Sequence, residues 1–195
     1  MIRFFGGRVM TLANGIETQD IEVWTEGSKI VFVGKPKAEE LDGKVFEREY
    51  DLKGNLLMPS FKNAHTHSAM TFLRSYADDM PLQDWLFKQI FPMEAKLDGE
   101  KVYWLTKLAI LEYLTTGCTA AFDMYFELDD YVKACIESGF RSVLCGAVSG
   151  DKSNLERLEN NYLKYNGKDP LISFMLGFHA EYTCEKELME GVGKL

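Results

Sequence analysis

Three continuous apolar segments, Cys118–Met124, residues 141–148 and residues 171–178, follow one another at intervals filled by amphipathic stretches. Strands that are covered on both faces lose the polar–apolar alternation of half-exposed strands and read as unbroken apolar runs. The stretches between them, residues 129–138 and Leu155–Tyr165, carry helical periodicity and end close to Gly139 and Gly167. A fourth apolar run, Leu56-Leu57-Met58-Pro59-Ser60-Phe61, leads into Asn63-Ala64-His65-Thr66-His67. Four β/α units in series predict an α/β chain with a parallel sheet and helices outside it. A doubly wound sheet and a (β/α)8 barrel both satisfy that pattern.

The histidines narrow the choice. Only three occur in the chain, and His65 and His67 are two residues apart at the end of an apolar strand. Residues i and i+2 of a strand face the same side, so both imidazoles can converge on one metal ion. A hydrogen-bonded polar pair without metal is the plainer alternative. His179 follows the last apolar run. Histidines at the C-terminal ends of strands favour the barrel, whose active site lies on that face.

The rest of the chain is read in order. Residues 1–55 are short strands: 21–25 alternates, Gly27 and Ser28 turn the chain, and 29–34 and 45–51 are strands again. Pro81 opens a helix whose apolar face is Leu82, Trp85, Leu86 and Ile90, and which Pro92 is expected to break. Asp98 is the expected N-cap of a helix running to about Thr116, with Gly117 after it. The net charge of −8 argues against a surface that tracks nucleic-acid phosphates. Four cysteines without Cys-X-X-Cys spacing read as reduced thiols of a cytoplasmic protein. The N-terminus lacks the apolar core of a signal peptide, and no apolar run approaches the roughly 18 residues that cross a bilayer.

The segment from Leu56 through His67 resembles the first barrel strand of the metal-dependent amidohydrolases, in the branch of nucleoside and aminoheterocycle deaminases. That strand carries Pro-Gly-Phe-X-Asn-Ala-His-Thr-His, and Ser60 stands here in place of the glycine. Residues 177–184 are similar to the His-Ala-Pro-Tyr-Thr-Cys segment of the same deaminases, with Glu181 for the proline. The resemblance is strongest to the methylthioadenosine/adenosylhomocysteine deaminases and extends over the whole chain. It implies a small β-sandwich segment over 1–55 and the first four β/α units of a barrel over 56–195.

The same resemblance assigns roles. His65 and His67 become ligands of one zinc ion, with iron(II) as the alternative metal. The lysine that bridges two metals is replaced by His179, so one metal per site is expected. His179 becomes a substrate contact, Glu94 the acceptor for ribose hydroxyls, and Arg157 a clamp for a substrate carboxylate. The second arginine of that clamp falls on Gly146. The remaining ligands (two histidines and an aspartate) and the acid/base glutamate are expected beyond Leu195, so these 195 residues are expected to be inactive alone. The implied substrate is a purine nucleoside, with neither nucleic acid nor membrane as a partner and a homo-oligomer left open. A triazine or guanine hydrolase on the same scaffold, or a non-catalytic half-barrel, are the other readings. Trp85 and Tyr125 are candidates for the pocket wall or the core, Thr66 reads as a packing residue, and Asp78, Asp79 and Asp123 receive no role.

Overall fold

The computed structural model describes residues 1–13 and 15–195. They divide into two compact units, Met1–Ser60 and Phe61–Leu195.

The first unit contains β1 (Ile2–Phe5), β2 (Arg8–Met10), β3 (Thr18–Gln19), β4 (Glu22–Glu26), β5 (Lys29–Gly34), the single helical turn α1 (Ala38–Leu41), β6 (Arg48–Asp51) and β7 (Leu56–Leu57). One sheet has the order β5-β4-β1-β6 and the other β3-β2-β7. Leu56 and Leu57 pair with Arg8 and Val9, which places the start of the apolar run with this unit and not with the histidines. Trp24 is the unit's anchor: it is buried, stacks on Phe32 at 4.1 Å and meets the edge of Phe46 at 5.2 Å. Such aromatic pairs add roughly 0.5–1.5 kcal/mol to the area they bury.

In the second unit β8 (Phe61–Thr66), β9 (Cys118–Met124), β10 (Arg141–Cys145) and β11 (Ile172–Met175) form a parallel sheet in chain order. A doubly wound sheet reverses its order at a switch point; this one does not. The connections are α2 (Leu82–Asp84), α3 (Phe91–Glu94), α4 (Gly99–Thr115), α5 (Leu128–Glu137) and α6 (Leu155–Tyr165), with α7 (Lys186–Val192) after the last strand. Asp98 caps α4, its carboxylate accepting from the Lys101 N–H at 3.0 Å. The core lies between sheet and helices and is built on Ile110, Tyr131, Phe140, Leu144, Leu158 and Phe174.

Two local expectations need correction. Pro92 does not end a helix. The turn Trp85–Ile90 is π-helical, and the Phe91 N–H reaches back five residues to the Leu86 carbonyl. That wider turn removes the i−4 carbonyl with which a proline ring collides, so α3 continues through Pro92. The last two apolar runs also make shorter strands than their composition suggests. β10 stops at Cys145 and β11 at Met175, and the two stretches go on as loops joined by isolated bridges, Val148 with Phe178 and Gly150 with Cys184. His179 is therefore positioned by these loops, its N–H bonded to the Val148 carbonyl at 2.8 Å, and not by a strand end.

Among the described residues the four cysteines are unpaired with one another, and no helix is long and apolar enough to cross a membrane.

Candidate active site

His65 is the penultimate residue of β8 and His67 follows its end. The ladder to β9 is irregular between Asn63 and Thr66, the kind of break that re-aims side chains beside functional sites. The two rings stand edge to face with centroids 5.0 Å apart. His67 Nδ1 lies 2.8 Å from the Met124 carbonyl. A carbonyl only accepts, so Nδ1 carries the proton and the Nε2 lone pair is available as a ligand. A pair of imidazoles suits zinc, which binds histidine nitrogen at about 2.0–2.1 Å. Among the described residues no cluster of three metal-ligating side chains forms. The residues present therefore fit part of a zinc ligand set.

Asp123 explains how this corner is held. It is 1 % exposed and follows Phe122 on β9. Its carboxylate accepts from the Ser68 N–H at 3.2 Å and, at short range, from the Ser68 hydroxyl. With that proton committed, the Ser68 oxygen accepts from Tyr113 at 3.0 Å, and Tyr113 in turn accepts from Thr66 at 2.5 Å. The donors thus run in one direction, from Thr66 through Tyr113 and Ser68 to the carboxylate. The residues on both sides of His67 are fixed to one buried charge. Burial pushes the Asp123 carboxyl above its ordinary range, with the hydrogen bonds from Ser68 and Tyr131 opposing it. Thr66 is not simply a packing residue.

A cavity of about 890 Å³ opens beside this corner, and His67, Glu94, Tyr125 and His179 all line it. Much of its wall is apolar: Trp85 and Phe87 come from the π-turn, Phe91 from α3 and Phe126 from the loop after β9. Single π-turns inside helices recur at functional sites. Glu127, also on the rim, has a left-handed backbone with φ +50°, a strained state for a non-glycine residue. Burial raises the Glu94 carboxyl, with the neighbouring Tyr125 phenol and His67 imidazole opposing it. His179 Nδ1 lies 2.8 Å from the Thr183 hydroxyl, whose own proton goes to the Ala180 carbonyl. Nδ1 is thus the donor and the Nε2 lone pair is left as an acceptor. Burial lowers the His179 pKa, and His67 lowers it further, which favours this neutral form.

The other expected residues lie elsewhere. Arg157 is exposed on α6 and does not line the cavity. Asp78 and Asp79 are exposed as well. At Gly146 a Cβ would stand 2.0 Å from Leu158 Cδ1 and 3.1 Å from the Phe174 ring, so any side chain there collides with the core. Tyr113, Ser68 and Thr183 were not expected at the site. Serine, threonine and tyrosine hydroxyls give no sequence signal until the fold shows what they face.

Comparison with known proteins gives the family. The amidohydrolase family profile matches residues 56–195. A 5-methylthioadenosine/S-adenosylhomocysteine deaminase of Caldicellulosiruptor saccharolyticus is 40% identical over 192 residues, covering 97% of this chain and 44% of its own length. A 5′-deoxyadenosine deaminase of Methanocaldococcus jannaschii is 41% identical over 184 residues, covering 91% of this chain and 43% of its own. Among solved structures, an adenosine deaminase from Xanthomonas campestris with bound zinc superimposes with a TM-score of 0.87 at 29% identity, over 99% of this chain and 46% of that one. A guanine deaminase from C. acetobutylicum has a TM-score of 0.84 at 19% identity, a likeness of fold alone. The chain spans less than half the length of each of these relatives. It belongs to the amidohydrolase family.

Proposed function

We propose that this chain forms the substrate-reading part of a zinc-dependent amidohydrolase that removes the amino group of an adenine-type nucleoside by hydrolysis. The observation that carries the reading is the placement of His67, Glu94 and His179 around one aromatic-walled cavity. The consecutive order of β8 to β11 supports the corresponding architecture, the first half of a (β/α)8 barrel. The names of the relatives support the nucleoside.

In this reading His65 and His67 hold the metal. When bound, zinc supplies an activated water for attack on the amine-bearing ring carbon. The chain's own residues do the rest of the recognition. Glu94, as a carboxylate, accepts hydrogen bonds from ribose hydroxyls. His179, neutral with its Nε2 lone pair free, accepts from a donor on the purine. The apolar wall takes the ring and the 5′ substituent. The other metal ligands and the acid/base carboxylate belong, on this proposal, to sequence after Leu195.

Gly146 refines the substrate. Leu158 and Phe174 fill the space where the resemblance puts a carboxylate-binding arginine, and Arg157 does not line the cavity. An apolar 5′ group, as in methylthioadenosine or 5′-deoxyadenosine, is therefore preferred over the charged tail of adenosylhomocysteine. Ammonia release by the full-length protein tests both points. Methylthioadenosine should be turned over with the higher kcat/KM, and His65→Ala should abolish turnover together with metal content measured by elemental analysis. Full metal occupancy in His65→Ala, or a clear preference for adenosylhomocysteine, contradicts the assignment.

A further inference from the structure

The Tyr125 side chain is 6 % exposed, and its hydroxyl has no hydrogen-bond partner among the described residues. It follows β9 directly, stacks on Phe126 with centroids 4.3 Å apart, and lines the same cavity as Glu94. A buried hydroxyl left unpaired costs about 1–3 kcal/mol, and phenylalanine would pack in the same space without that cost. A native protein that keeps such a group where a ligand binds has a reason to look for in the ligand. The Glu94 carboxylate is near enough to raise the Tyr125 pKa, yet no hydrogen bond of normal geometry joins the two side chains.

We infer that Tyr125 is a specificity-determining residue that donates a hydrogen bond to one hydroxyl of a vicinal diol while Glu94 accepts from that diol. The assignment rests on the nucleoside reading above and sharpens it, since it names a second protein group on the sugar. The chemistry is complementary. Each sugar hydroxyl has one proton and two lone pairs; the carboxylate only accepts, and the phenol supplies the donor the carboxylate lacks. Burial and the adjacent negative charge of Glu94 both hold the phenol protonated, which keeps it a donor across the working pH range. A ligand hydroxyl between the two would pair the orphan phenol and hydrogen-bond the desolvated carboxylate at once. A site built to hydrogen-bond a hydroxyl rejects analogues that lack it, because its own polar groups are then stranded.

Tyr125→Phe in the full-length protein is the test, with adenosine and its 2′-deoxy and 3′-deoxy analogues as probes. KM for adenosine should rise by roughly tenfold, the worth of one hydrogen bond to a bound ligand, with kcat nearly unchanged. For the analogue that lacks the contacted hydroxyl, wild type and Tyr125→Phe should differ by less than about twofold. The variant should melt at the wild-type temperature or above, since an unpaired buried hydroxyl has been removed. An equal loss on all three nucleosides, no loss on any, or a clearly lower melting temperature overturns the assignment. Wild-type protein that treats the three alike overturns the nucleoside reading and this assignment with it. Wild-type discrimination that persists unchanged in Tyr125→Phe overturns the assignment alone.

Discussion

Both units take charged side chains at least partly out of water, and they do so in opposite ways. In the first, the Arg3 guanidinium donates to both carboxylate oxygens of Glu22 at 2.7 and 2.6 Å and to Glu49 at 2.9 Å, while the Trp24 indole N–H also donates to Glu22. Every charge there meets its complement, and the cluster holds β1, β4 and β6 together. In the second, Asp123 has hydrogen-bond donors but no cation beside it, Glu94 is desolvated, and Tyr125 is orphaned. Burial lowers stability unless pairing offsets it. A cluster that is fully paired by its own chain has structure as its purpose. A cluster left partly unpaired around a cavity is arranged for something that enters it.

The largest expected effect comes from removing the anchor of the second cluster. Asp123→Ala strands the Ser68 N–H and the hydroxyl chain from Tyr113 and Thr66 in a buried site. It should cost about 2–4 kcal/mol, the range for breaking a buried polar network. Because Thr66 and Ser68 flank His67, zinc affinity should fall as well. Asp123→Asn keeps the shape and one acceptor oxygen and should recover part of both losses. Thermal melts and zinc titration of the two variants measure this. A stable Asp123→Ala variant with unchanged zinc affinity would mean that the carboxylate organises nothing.

How much of this was legible beforehand differs between the units' parts. α6 and α4 appear where periodicity and the Asp98 cap place them, because helix ends and amphipathic faces are local properties. The parallel sheet also follows from its apolar runs. The position of His179 did not follow. An apolar run does not say where strand pairing stops, and just past the two strand ends Gly146 and Gly177 sit where a side chain would not fit; a Cβ on Gly177 would lie 2.6 Å from Cys145 Sγ. The π-turn at Trp85–Ile90 is hidden for the same reason, since i→i+5 bonding has no sequence pattern of its own. His65 and His67 stand out in the sequence as a pair, whereas Glu94 and His179 are singled out as site residues only through family resemblance. Asp123 was visible as an acid on a strand. Its partners come from β8, from the turn after it and from α4, so its role exists only in three dimensions.

Gly146 offers an intermediate effect that separates packing from recognition. Gly146→Ala places a methyl against Leu158 and Phe174 and should cost about 1–3 kcal/mol, as overpacking of a filled core does. The loss should appear in the Phe61–Leu195 unit and leave hydrogen exchange of Ile2–Phe5 and Glu22–Glu26 unchanged. Pairing it with Leu158→Ala should restore part of the stability, because the colliding atom is then gone. Failure of that pair to recover would show that the glycine is needed for its backbone and not for space.

The smallest effect tests the paired cluster. The Glu22 carboxyl is held below its ordinary range, first by the hydrogen bond from Arg3 and then by that from Trp24, against the opposing effect of burial. A depressed folded pKa means that the folded state binds fewer protons than the unfolded chain. The stabilisation is therefore complete above the unfolded carboxyl value of 4.5 and is lost as pH falls through the folded value. Glu22→Gln keeps a neutral acceptor but removes the charge, and should cost about 1–2 kcal/mol at neutral pH. That deficit should shrink steadily as the pH is lowered below the ordinary carboxyl range, until variant and wild type converge. Hydrogen exchange of the Ile2–Phe5 and Glu22–Glu26 strands, read across that pH range, follows this unit alone. Tyr125→Phe should behave in the opposite sense, gaining stability where Glu22→Gln loses it. If both variants were destabilised alike, the distinction between a paired cluster that builds the fold and an unpaired one that awaits a ligand would fail.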